Sequence, residues 1–138
     1  MKKFLKKKIE LYFDKKNQKT PIKRSPELTY GIRNFIGNAV KFSKNNVFIN
    51  LISNKDEIKI KITDDGPGFP NDVFNIIGEP YIASKTKKFK NKSGLGLGTF
   101  IGKTLLERKK AIIEFSNLEN GGASVEISWK YSDLMWTK

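Results

Sequence analysis

The chain of 138 residues has no cysteine and no histidine. The first absence excludes disulfides, thiolate zinc sites and redox thiols. The second removes every imidazole, and with it any phosphoaccepting histidine within these residues. Acidic residues are also scarce, 14 Asp and Glu against 27 Lys and Arg. No apolar run approaches the ~20 residues of a membrane-spanning helix. The lysines near Met1 are not followed by the apolar stretch of a signal peptide, so the expected location is cytoplasmic. What is present suffices for folding: 38% apolar residues, ten Phe among them, suit one compact domain with a real core.

The net charge of +13 raises the question of a polyanionic partner. Residues 1–24 hold ten Lys and Arg against Glu10 and Asp14, and residues 84–110 hold nine against Glu107. Yet 24 of the 27 basic residues are Lys, in a chain also rich in Asn and Ile, as an AT-rich coding sequence produces without selection for a ligand. No aromatic-interleaved stacking platform or groove-reading helix accompanies the charge. No nucleic-acid partner is expected.

Residues 2–16, with Phe4, Leu5, Ile9, Tyr12 and Phe13 as apolar members, read as a short basic amphipathic helix, and 17–24 as a polar linker. The expected division is 1–24 as this helix and linker and 25–138 as the main domain. Ser25-Pro26-Glu27 is a helix start, with a capping hydroxyl, a proline at the first helical position and an acidic first turn. Leu28, Ile32, Phe35, Ala39 and Phe42 recur at helical spacing and predict a helix over about 26–43. Val47–Ser53 and Glu57–Thr63 predict a β-hairpin around Asn54-Lys55-Asp56. A short helix is predicted over 71–78 and a lysine-rich mobile loop over 83–93. Leu97, Ile101 and Leu105 set up a second amphipathic helix, about 97–109, and Ala111–Asn117 and Ala123–Lys130 are two further strands. This order predicts an α+β two-layer sandwich, with helices on one face of a mixed β-sheet.

Three stretches carry chemistry. Asp64-Asp65-Gly66-Pro67-Gly68 follows the alternating Ile58, Ile60 and Ile62, so a carboxylate leaves a strand and enters a tight turn. That arrangement suits reading the exocyclic amine of a purine, and it is equally a common strand ending. Asn34, Asn38 and Lys41 share one polar helix face. An Asn carbonyl oxygen is a hard ligand suited to Mg²⁺ and a Lys meets phosphate as a point charge, but a solvated helix face has the same composition. Gly94-Leu95-Gly96-Leu97-Gly98 opens a helix, where glycines and unpaired N–H groups favour an anion, although flexible loops use the same residues. Lys85, in the preceding loop, is the lysine best placed to reach a phosphate, and a merely solubilising loop charge reads equally well.

In this order the three stretches resemble the GHKL ATP-binding fold, and more narrowly the catalytic ATP-binding domain of sensor histidine kinases. The resemblance covers about residues 25–130. Within that group the wording of Ser25 to Val40, Ile77 to Tyr81, Gly94 to Arg108 and Asn117 to Trp129 is similar to the RegB/PrrB-type family. The resemblance implies that Asp64 bonds the adenine amino group and that Gly66 and Gly68 shape its pocket. It further implies that Asn38 ligates Mg²⁺ with Asn34 near the phosphates, that Lys41 contacts phosphate, and that Phe42 lies against adenine. Gly94, Gly96 and Gly98, with Leu95 and Leu97 between them, would form the hinge and phosphate cradle of an ATP lid. Two positions depart: Lys92 stands where most histidine kinases have the first lid glycine, and Gly78 replaces the first aromatic of their Phe-rich box, with Tyr81 at the second.

The position four residues before Asn38 separates the reaction classes. The ATPases of this fold resemble one another in having Glu there as general base for water. Asn34 cannot accept a proton at neutral pH, which points to a kinase. The implied activity is transfer of the γ-phosphoryl group of Mg-ATP to a histidine absent from these residues, on a dimerisation domain in the same protein or in trans, with a response regulator downstream. The chain thus reads as a truncated kinase, a split gene product or an excised domain, with 1–16 where a dimerisation helix or its connector would end. The full-length relatives are anchored in the inner membrane. The alternatives are a stand-alone GHKL serine kinase of the anti-sigma type and a catalytically silent nucleotide-sensing module.

Overall fold

The structure is a computed structural model, and it describes residues 8–13, 25–69 and 95–134. In chain order the elements are β1 (Lys8–Phe13), α1 (Pro26–Phe42), β2 (Asn46–Ser53), β3 (Glu57–Asp64), α2 (Leu95–Glu107), β4 (Ile112–Asn117), β5 (Ala123–Lys130) and the single turn α3 (Tyr131–Leu134). The strands form one mixed sheet in the order β1-β2-β3-β5-β4. β1 and β2 pair in parallel, Lys8 opposite Asn46 and Phe13 opposite Leu51. The other pairs are antiparallel.

α1 begins and ends where local chemistry dictates. The Ser25 side chain accepts the Leu28 N–H at 3.1 Å, Pro26 takes the first turn without needing a donor, and Glu27 meets the helix dipole. At the far end the Ser43 N–H reaches Ala39 O at 2.9 Å and its hydroxyl donates to Val40 O at 3.0 Å, which closes the last turn. Phe35 and Ala39 are buried, and Leu28, Ile32, Ile36 and Val40 pack beside them. They meet Val47, Ile58 and Ile62, then Val125, Ile127 and Trp129, the inward residues of the central strands. Alternation along β3 and β5 thus commits one face of the sheet to the helices. The other face carries polar rows such as Lys59 and Lys61, which pair with Glu126 at 3.2 and 3.9 Å.

α1 and α2 cross closely because small residues face each other. A Cβ on Gly31 would stand 2.5 Å from Leu106 Cγ, and one on Gly102 would stand 3.1 Å from Asn34 Cβ. Leu106, fully buried, fills the space that Gly31 leaves.

Two expectations change. Lys8–Phe13 is a strand, not part of a helix over 2–16. The parallel partner that β2 offers outweighs the helical spacing of Ile9, Tyr12 and Phe13, since strand formation depends on the neighbour more than on local preference. α2 begins at Leu95, two residues before the predicted start, so Leu95 and Gly96 are helical rather than loop. The other predicted elements lie within one or two residues of those observed. The helix predicted over 71–78 and the loop over 83–93 fall outside the described residues. Among the described residues, no helix is long and apolar enough to cross a membrane.

Candidate active site

A cavity of about 190 Å³ opens between α1 and the sheet, at the end where β3 stops. Its walls are mainly apolar. Phe35, Ala39 and Phe42 come from α1, Ile62 from β3, Phe115 from β4, and Ala123 and Val125 from β5. An apolar cavity of roughly 150 Å³ accepts benzene, so this one has room for a larger flat ring.

Asp64 is the one carboxylate among the described lining residues. It is the last residue of β3 and is buried, because alternation from Ile58, Ile60 and Ile62 turns it inward. Its Oδ1 accepts from the Gly66 N–H at 2.8 Å and from the Ala123 N–H at 3.4 Å. These bonds fix the carboxylate plane against the apolar walls. An ionised carboxylate only accepts hydrogen bonds, so the matching ligand group is a donor on a flat, apolar body.

The turn after Asp64 is held on two sides. Asp65, the first residue beyond the strand and facing the other way, accepts from the backbone N–H groups of Lys44, Asn45 and Asn46 and from the Asn46 side chain, at 2.8 to 3.2 Å. Partial burial acts to raise its pKa, but the N–H groups of Asn45, Asn46 and Lys44 and the Asn46 amide outweigh it and hold the carboxyl below its usual range. Gly66 sits so close to α1 that a Cβ there would overlap the Phe42 carbonyl oxygen. On the other side the Asn117 amide grips Phe69 twice, accepting its N–H and donating to its carbonyl, both at 2.7 Å. The Phe69 ring meets Phe115 edge-on at 5.8 Å, and Phe115 meets Phe35 at 5.9 Å.

At the cavity's polar edge Asn38 Nδ2 donates to Thr99 Oγ1 at 2.9 Å, and both residues line the cavity. Asn34 lies a turn away from it, and its Nδ2 donates to Tyr30 O at 2.8 Å. Lys41 is exposed, with Nζ 5.6 Å from the Phe42 ring centre.

The structure therefore brings Asn38, Phe42, Asp64 and Gly68 to one cavity, with Gly66 directly behind its wall. It does not bring Asn34 or Lys41 into the lining. Leu95, Gly96, Leu97 and Gly98 form the first turn of α2, just before Thr99. Lys85 and Gly94 lie outside the described residues. Sequence reasoning missed Thr99, Phe69 and Phe115 as lining residues and Asn117 as the clamp, since each depends on contacts between distant strands and helices. Thr99 had one local signal, a polar residue directly after the glycine run and before Phe100 and Ile101.

A family model described as "Histidine kinase-, DNA gyrase B-, and HSP90-like ATPase" matches residues 24–133. The chain belongs to this family. Among curated members of this ATPase family, Sensor histidine kinase RegB of Cereibacter sphaeroides is 37% identical over 130 residues, covering 83% of this chain and 28% of RegB. Sensor protein kinase PilS of Pseudomonas aeruginosa is 28% identical over 112 residues, covering 76% of this chain and 20% of PilS. The chain thus spans under a third of the length of these relatives. Two solved structures share the fold. The catalytic domain of histidine kinase ThkA superimposes with a TM-score of 0.70 at 20% identity, covering 89% of this chain and 80% of that one. Full-length ShkA in complex with AMPPNP superimposes with a TM-score of 0.69 at 21% identity, covering 94% of this chain and 26% of ShkA.

Proposed function

We propose that the chain is the ATP-binding catalytic domain of a sensor histidine kinase of the RegB type, holding Mg-ATP for transfer of its γ-phosphoryl group to a histidine. The observation that carries this reading is Asp64 at the base of an apolar cavity, clamped through Oδ1 by Gly66 and Ala123. Adenine is flat, largely apolar and carries one exocyclic amine, so it satisfies the walls and the carboxylate together. Phe42 and the turn bearing Gly66 and Gly68 border the ring, and the phosphates extend toward Asn38, the start of α2 and, through its long side chain, Lys41. Lys85 and Gly94, outside the described residues, are retained as proposed phosphate-binding residues on their sequence alone.

Asn38 fits a role as magnesium ligand. Its Nδ2 is engaged by Thr99, so the amide offers an oxygen. The described residues contain no cluster of three or more Asp, Glu, His or Cys. A single protein oxygen, completed by phosphates and waters, is how Mg²⁺ is commonly held. When bound, the ion would offset phosphate charge during transfer.

Asn34 narrows the reaction. Water or a serine hydroxyl needs a base to become a good nucleophile, and an amide cannot act as one. A neutral imidazole nitrogen attacks with its own lone pair. The new P–N bond forms as the bond to the β-phosphate breaks and ADP leaves, so the absence of a carboxylate at position 34 is no handicap with a histidine acceptor. With no histidine in these 138 residues, the acceptor lies on a dimerisation segment outside them, and a response regulator receives the group next. This reading places the site in the cytoplasm, where ATP is available.

The test is incubation of the chain with radiolabelled Mg-ATP, alone and with a separately produced dimerisation domain from a RegB-type kinase. The expected result is acid-labile label on the added domain and none on the chain alone. Acid-stable label on a serine would favour a serine kinase, and ATP binding without transfer would favour a silent sensing module.

A further inference from the structure

The geometry points to Thr99 as a positioning residue that holds the Asn38 side chain at the edge of the nucleotide cavity. The inference rests on the reading of the cavity as a Mg-nucleotide site. An Asn side chain presents an oxygen at one end and an N–H₂ group at the other. Only the oxygen suits a cation, and when it faces one the N–H₂ end needs an acceptor of its own. A hydroxyl can accept that N–H.

Thr99 supplies that acceptor from the opposite helix. It is 2% exposed, and its hydroxyl oxygen accepts the Asn38 N–H at 2.9 Å across 61 positions of sequence. A buried hydroxyl in such a place is costly unless it is bonded, and this one is bonded to the single side-chain amide among the described lining residues. The contact depends on the close crossing of α1 and α2. A Cβ on Gly31 or Gly102 would crowd the facing helix, and Thr99 lies one turn before Gly102 on the same face, as Asn38 lies two turns after Gly31. The glycine crossing sets the spacing, and Thr99 uses that spacing to hold the Asn38 side chain. Because Thr99 follows directly on Gly98, it also ties the start of α2 to the helix that carries the ligand.

The test uses Thr99→Val, which keeps the shape and removes the hydroxyl, and Thr99→Ser, which restores it. ATP binding is measured against increasing Mg²⁺ and again in EDTA, with melting followed in the absence of nucleotide. For Thr99→Val the Mg²⁺ concentration giving half of the full binding should rise roughly three- to tenfold, the range of one neutral hydrogen bond. Affinity in EDTA should stay within twofold of wild type, and Thr99→Ser should return the Mg²⁺ midpoint to the wild-type value. An unchanged midpoint in Thr99→Val overturns the inference, as does an equal loss of affinity with and without Mg²⁺, which would mark a purely structural role. If Thr99→Val does not fold, Thr99→Ala carries the same comparison. A wild-type chain that binds no nucleotide overturns the underlying reading and this inference with it.

Discussion

Replacing Asp64 by Asn tests adenine recognition with little disturbance of shape. The two side chains are isosteric, and the Asn carbonyl oxygen can keep the acceptor position that Oδ1 holds toward the Gly66 N–H at 2.8 Å. The amide nitrogen then takes the other position, so a donor faces the donor of the adenine amine. A hydrogen bond to a charged acceptor contributes about 1.5–3 kcal/mol. At about 1.4 kcal/mol per factor of ten, its loss weakens Mg-ATP binding by roughly ten- to 150-fold. Folding should change by less than about 1 kcal/mol, since the bond within the turn survives. Calorimetry with ATP, paired with thermal melting, separates the two effects. Inosine triphosphate sharpens the assay, because its 6-oxo group accepts where the adenine amine donates. Wild type should prefer ATP over inosine triphosphate, and Asp64→Asn should lose or reverse that preference. If the variant binds ATP within twofold of wild type, or keeps the same preference, Asp64 does not read the base.

The remaining predictions concern the frame around that residue. Gly122 has φ of 110°, and a Cβ there would overlap the Asp64 carbonyl oxygen. Gly122→Ala should therefore cost at least about 2 kcal/mol in urea unfolding and weaken ATP binding as β5 moves from Asp64; wild-type stability would contradict this. Asp65 has a carboxyl held below its ordinary value of 3.8. Its contribution is complete above that ordinary value and is lost as pH falls through the lowered folded-state value. Wild type should thus lose more stability than Asp65→Asn between about pH 5 and pH 2, while the variant is the less stable protein at pH 7. Parallel melting curves across that range would refute the assignment.

How much of this was legible beforehand follows from where each signal resides. α1 was readable because both its cap, Ser25, and its buried stripe, Phe35 and Ala39, are local. β3 was readable because Ile58, Ile60 and Ile62 alternate up to Asp64. β1 was not, since six residues containing Leu11, Tyr12 and Phe13 in a row fit a helical stripe as well as a strand. Its state is decided by β2, more than 30 positions later. The site shows the same division. Asn34 and Asn38 are equivalent on a helical projection, but a turn rises 5.4 Å, and the cavity lies at only one end of α1. Periodicity gives the face and not the height. Phe115 and Asn117 enter because β4 pairs with β5 on the far side of β3, a strand order that no single stretch encodes.

Adjacent aspartates at a strand end do opposite work because a strand turns successive side chains to opposite sides. Asp64 faces the cavity, and Asp65 faces the connection between α1 and β2. The outward residue explains why the inward one is useful. Were Asp64 held only by its own turn, the carboxylate would wander with that turn, and binding would carry the cost of ordering it. Asp65 instead fastens the turn to Lys44, Asn45 and Asn46, Gly66 lets it lie against Phe42, and Asn117 grips it at Phe69. Each fastening runs to a different element, so the carboxylate is placed by the whole sheet and α1 rather than by five residues of sequence. In the proposed reading, that separates a base-reading aspartate from an ordinary strand ending. The residues of the turn serve either purpose, and the contacts that hold it from both sides favour the proposed one.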